Sequence, residues 1–143
     1  MNHITESQFR KRFISLVFGG RDFPKKRENL HVLFKSAVLG LREGHKYSQQ
    51  ELTQKLNLWV EAFGHNFNID AVVLRRLLVD EGYLTRDPAG NVYELPDNNP
   101  QFSFDDSIRS IDPELLILEE KEKRELKKQH YMSSIGSNNS SDS

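Results

Sequence analysis

The stretch Asp70–Leu95, DAVVLRRLLVDEGYLTRDPAGNVYEL, limits the fold of this chain more than any other. Leu74, Leu77 and Leu78 recur at helical spacing, which predicts a helix with one apolar face over 71–81. Gly82 stands just past the last periodic residue, where a left-handed C-terminal position favours glycine. Tyr83-Leu84-Thr85 and Asn91-Val92-Tyr93-Glu94-Leu95 read as short strands. Asp87-Pro88-Ala89-Gly90 between them has turn chemistry. The stretch is therefore a helix running directly into a hairpin.

The residues upstream supply the elements that such an ending needs. Thr5, with Gln8 three residues on, forms a capping box for a first helix whose apolar face is Phe9, Phe13, Leu16 and Val17, up to Phe18. Gly19-Gly20 is expected to end it. Pro24 suits the first turn of the next helix. Leu30, Leu33, Phe34, Ala37, Val38 and Leu41 give that helix a buried face. His45-Lys46-Tyr47 is a short extended piece. Ser48 caps a third helix, with Glu51 in the box position and Leu52, Leu56, Trp59, Val60 and Phe63 inward. Gly64 is expected to close it, His65–Asn68 to form a turn, and Asn68 or Asp70 to cap the last helix. Helix, short strand, helix, turn, helix, strand, strand is the order of a winged helix-turn-helix, with 70–81 in the recognition-helix position. The expected fold class is mainly α with a small β-hairpin: a winged helix-turn-helix with an added N-terminal helix and a C-terminal helical tail. Leu33, Phe34, Val38, Leu52, Leu56, Leu74, Leu78 and Tyr83 are expected to share one core.

Four segments follow. Residues 1–20 form an accessory helix and 21–97 the winged-helix-like domain. Residues 98–132 are a linker and charged C-terminal helix, with Phe102 and Phe104 docking an extended piece on the body. Asp112 caps that helix, with Pro113 at its first position. Its apolar residues, Ile111 and 115–118, lie only at its start. Ser133–Ser143, rich in serine and asparagine, is expected to be a disordered tail.

The absence of cysteine excludes disulfides, zinc–thiolate sites and cysteine nucleophiles. No apolar run approaches a membrane span. Arg10, Lys11 and Arg12 interrupt any secretory core near the start. The expectation is a cytoplasmic protein without a membrane partner. Five histidines are scattered without metal-ligand spacing, and His31 reads as a surface or boundary residue. Asp80 is expected to pair with Arg76, one turn earlier. Gly19-Gly20 lacks the Lys-Ser/Thr of a phosphate loop. No enzymatic activity, metal or cofactor is expected.

Charge is unevenly divided. Arg10 to Arg86 carries 14 Lys and Arg against 8 Asp and Glu, a balance of +6, whereas Asp87 to Ser143 carries 6 against 12, a balance of −6. A basic body with an acidic tail suits polyanion binding regulated by the tail. Solvated faces and a solvated tail explain the same division without a ligand.

The candidate nucleic-acid contacts are Lys25, Lys26, Arg27, Arg75, Arg76 and Arg86. At about 100° per residue Arg76 lies opposite the leucine face, and Arg75 lies to its side. Arg86 precedes the wing turn. Asp70 and the outward Val72 and Val79 point instead to a protein contact. Two classes stay open: a DNA-binding transcriptional regulator or regulator accessory, and a protein-interaction module using the outer face of 70–81 and the acidic tail. Duplex DNA and a protein are the corresponding partners, and the sequence does not set the oligomeric state.

FPKKR at Phe23–Arg27, KYSQQEL at Lys46–Leu52 and LRRLLVDEGYLTRD…G…Y at Leu74–Tyr93 together resemble an uncharacterised bacterial domain family. Its members occur alone or fused behind ArsR-type winged-helix transcription regulators. The resemblance covers 21–95 and departs from the pattern in the stretch Asn57–Asn68 and in the tail. It implies the fold and a regulatory setting, and it transfers no catalytic residue.

Overall fold

A computed structural model describes residues 2–19 and 22–141. The chain is mainly helical, with a small antiparallel sheet. β1 (Asn2–Ile4) leads into α1 (Glu6–Gly19), and α2 is Arg27–Val38. β2 (Tyr47–Ser48) runs into α3 (Gln49–Trp59), and a π turn at Val60–Gly64 continues into α4 (His65–Phe67). α5 (Ala71–Asp80) precedes β3 (Thr85–Arg86) and β4 (Val92–Glu94). β5 (Phe102–Phe104), a 3₁₀ turn at Asp106–Ser110 and α6 (Pro113–Ser141) complete the order.

The caps follow from the sequence. Thr5 and Gln8 exchange bonds as a capping box, the Gln8 N–H donating to Thr5 Oγ1 at 3.2 Å and the Thr5 N–H to Gln8 Oε1 at 2.9 Å. Ser48 accepts from the Glu51 N–H at 3.1 Å, Asp70 from the Val73 N–H at 2.9 Å, and Asp112 from the Glu114 N–H at 3.0 Å. Glu51 does not return the bond to Ser48. Its carboxylate meets His45 Nε2 at 2.8 Å instead. At the far end of α5 the Tyr83 N–H reaches the Leu78 carbonyl at 2.8 Å and the Gly82 N–H reaches that of Val79 at 3.2 Å. This is a Schellman closure, with Gly82 at φ +82°. A Cβ at Gly82 would also stand 2.7 Å from Pro100 Cδ.

Two boundaries differ from expectation. Pro24 does not begin α2, which starts at Arg27 after the extended N-cap Lys26. Gly64 does not end the third helix either. The backbone passes through the π turn and stops at Asn68, which takes the left-handed conformation at φ 54°. The extra residue of the π turn keeps Trp59, Phe63 and Phe67 all inward. A Cβ on residue 64 would come within 2.8 Å of Val60 Cγ1 and 3.1 Å of the Ile69 carbonyl oxygen. Glycine is there for close approach, not for termination.

β4 is the middle strand of the sheet, with antiparallel neighbours β2 and β3. Tyr47 and Arg86 flank Tyr93 across it. Asp87 closes the β3–β4 turn by accepting from the Asn91 N–H at 2.7 Å and the Val92 N–H at 3.0 Å. These bonds, Val92's foremost, hold its carboxyl below the usual range. A second pairing joins distant parts of the chain: β1 runs parallel to β5, with Asn2 beside Phe102 and Ile4 beside Phe104. His3 reinforces it through Ser103 Oγ and Asp105 Oδ1, each at 2.7 Å. The other oxygen of Asp105 accepts from the Glu6 N–H at 2.8 Å.

One hydrophobic core holds all eight residues named for it in the sequence. It is wider than that set. Phe9 and Phe13 of α1 are fully buried, and Phe102, Ile108, Ile111, Leu116 and Ile117 enter it from beyond the hairpin. α1 thus packs into the same core as the rest of the body. α6 continues to Ser141 through the serine-rich segment expected to be disordered, with no proline after Pro113 to break it. Gly20 and Arg21, at the expected end of the first helix, and the last two residues of the tail lie outside the described residues. No described helix is long and apolar enough to cross a membrane.

Candidate nucleic-acid interface

α5 buries Ala71, Leu74, Arg75 and Leu78 and turns Val72, Val73, Arg76 and Asp80 outward. Arg76 is exposed, as its angle to the leucine face requires. Arg86, on β3 beside the turn, is exposed as well. Lys25 and Lys26 are exposed just ahead of α2.

The other two candidates are engaged within the chain. Arg75 is only 9% exposed. Its Nη1 donates to Thr53 Oγ1 at 2.9 Å, and its guanidinium lies 5.8 Å from the centre of the Tyr93 ring. It bridges α3, α5 and the sheet, so its head does not reach outward. Arg27 is held differently, with its side chain 54% exposed: the two hydrogens of Nη2 are shared among Glu81 Oε2 at 3.0 Å, His31 Nε2 at 3.1 Å and Gln101 Oε1. Glu81, not Asp80, is the carboxylate in use at the end of α5. No Arg76–Asp80 ion pair forms among the described residues.

His31 organises this polar cluster, and it is fully buried rather than a boundary residue. Arginine can only donate, so Nε2 accepts from Arg27 and Nδ1 carries the proton toward Tyr83 Oη, 2.6 Å away. The ring stacks on Phe102 at 4.1 Å between centroids. Burial, followed by the nearby Arg27 charge, pushes its pKa below the ordinary 6.5. Burial also pushes the Tyr83 phenol far up. The unfolded chain then takes up a proton at His31 before the folded one does. Stability is fully present above 6.5 and is lost as pH falls through the lowered folded value. A melting temperature that declines between about pH 7 and pH 5.5, with a flatter profile in His31→Gln, is the expected result. Loss from Asp87, Asp105 and Glu6, whose carboxyls all lie below 4.5, belongs to a more acid range. An unchanged melting temperature over the upper range would contradict a neutral buried imidazole.

Asp70 explains one further property of this face. Its carboxylate already accepts from the Val73 N–H in the first turn of α5, which sets a negative charge where an anion would bind a helix N-terminus. A phosphate would have to approach along the side of the helix, past Arg76. Two exposed lysines on flanking elements were missed in the sequence: Lys46, directly before β2, and Lys55 on α3. The signal for Lys55 was its position at the edge of the Leu52/Leu56 face, about 80° from its centre.

The tail is not uniformly acidic. Within α6, Pro113–Glu122 carries four Glu and one Lys, while Lys123–Met132 carries four Lys and Arg and one Glu. The acidic character ends about a third of the way along that helix.

A family model described as an uncharacterized protein conserved in bacteria (DUF2087) matches residues 21–95. That span takes in α2 to β4 and leaves out α1, β5 and α6. No curated protein and no solved structure matches the chain.

Proposed function

We propose that this chain, which belongs to the uncharacterized bacterial family DUF2087, is a winged-helix protein that docks the outer face of α5 on duplex DNA. The observation that supports this reading is that Arg76 on α5 and Arg86 on β3 are both exposed, on elements that Arg75 joins by lying against the Tyr93 ring of β4. Lys46 and Lys55 add positive charge on the flanking elements, and Lys25 and Lys26 extend it. Arg75 serves the fold instead, while Arg27 is exposed but engaged by Glu81. Fusion of relatives to ArsR-type regulators would give such a domain a place in transcription control.

Phosphate contacts set how binding responds to salt. Anisotropy titrations of a labelled mixed-sequence duplex are expected to show binding that weakens steeply with salt. Arg76→Ala and Arg86→Ala should each lower the slope of log affinity against log salt by about 1. Arg76→Glu should remove most of the affinity. Absence of binding at low salt would end this reading.

Val72 and Val73, 40% and 44% exposed, favour a second one. Two neighbouring apolar side chains on an outer face suit a protein contact, which need not weaken with salt.

A further inference from the structure

α6 is 29 residues long, and every residue from Lys121 to Ser134 is exposed. Arg124, over the Phe18 ring at 3.9 Å, still touches the body, but the helix beyond it gains little from packing and relies on propensity and side-chain pairs. Three features suggest what it meets. Leu115, Leu118 and Leu126 are each exposed by half or more. On a helical wheel they fall within about 80° of one another, a stripe that the body does not cover. Beside the start of the stripe lies a groove of about 660 Å³, lined by Phe18, Ala62, Leu115 and Leu118, with Asp112, Glu114 and Lys121 as its charged residues. Finally, the first ten residues of α6 carry a net charge of −3 and the next ten a net charge of +3.

We propose that α6 pairs antiparallel with α6 of a second copy, each copy's Lys123–Met132 segment lying along the other's groove. Antiparallel pairing sets the basic half over the acidic half twice, through one two-fold axis, and so closes a symmetric dimer. Parallel pairing would set like charges side by side along the whole contact. Leu126 of each copy then covers the apolar floor formed by Leu115 and Leu118 of the other, beside Phe18, whose ring already carries its own chain's Arg124. The occupant is a second copy because the charge order of the helix is its own complement.

Sedimentation of the full chain over a range of concentrations tests this. A concentration-dependent monomer–dimer equilibrium is expected. Leu126→Glu should weaken it at least about tenfold without changing the melting of the body, because Leu126 is far from the core. Lys127→Glu with Lys128→Glu makes both halves of α6 acidic, and Glu119→Lys with Glu122→Lys makes both halves basic. Each double variant alone should be monomeric, and an equal mixture of the two should dimerise. A wild-type chain that stays monomeric up to about 1 mM overturns the proposal. So does a dimer that survives both Leu126→Glu and the charge changes, since its contact would lie elsewhere.

Discussion

Phe13→Ala is expected to lower the free energy of unfolding by about 3–5 kcal/mol. Phe13 is fully buried, stacked with Phe9 at 6.0 Å and edge-on to Phe63 at 5.2 Å. The ring links α1 to the π turn, and its removal leaves a cavity between two helices that the rest of the fold holds apart. Domain stabilities are about 5–15 kcal/mol, so this one change removes a large share of the total. The family match begins only at residue 21, which makes the result informative. A midpoint shift in urea worth less than about 1 kcal/mol would show α1 to be a detachable attachment.

Leu78→Ala should cost about 2–5 kcal/mol. The side chain is fully buried, and the Leu78 carbonyl accepts from the N–H groups of both Tyr83 and Leu84, at 2.8 and 3.2 Å. Loosening the last turn of α5 therefore disturbs the entry to the hairpin as well as the core. Val72→Ala, on the opposite side of the same helix, serves as the control. It should change stability by no more than about 0.5 kcal/mol, as surface substitutions usually do. Equal losses for the two variants would mean that the helix is rotated from the orientation described above.

Periodicity made α5 legible. Leu74 and Leu78 are four residues apart, and that spacing alone specifies a buried stripe. The same logic carried Leu52 with Leu56 and Phe9 with Phe13. It failed for Arg75, because wheel angle says how far a side chain is turned from the core and nothing about what waits there. Thr53 and the Tyr93 ring supply a polar niche at that angle, and the guanidinium turns inward to it. His31 was illegible for a related reason. A buried imidazole needs partners for both nitrogens, and the Tyr83 hydroxyl lies 52 residues away in sequence. The β1–β5 pair was half legible: Phe102 and Phe104 marked an extended piece that docks on the body, but nothing in Asn2–Ile4 marked its partner. Net charge misled as well, since summing from Asp87 to the end concealed the reversal inside α6.

The β1–β5 clasp also has a consequence for the order in which the chain can be finished during synthesis. His3 and Ser103, which it brings together, are 100 positions apart. At ribosomal rates of about 5–20 residues per second, the first strand made waits roughly 5–20 s for its partner. Throughout that interval α1 can form as a helix, but Ile108, Ile111, Leu116 and Ile117, which complete the core around it, have not yet been translated. Phe9 and Phe13 therefore lack their full cover until Ile117 has been made, well after β5.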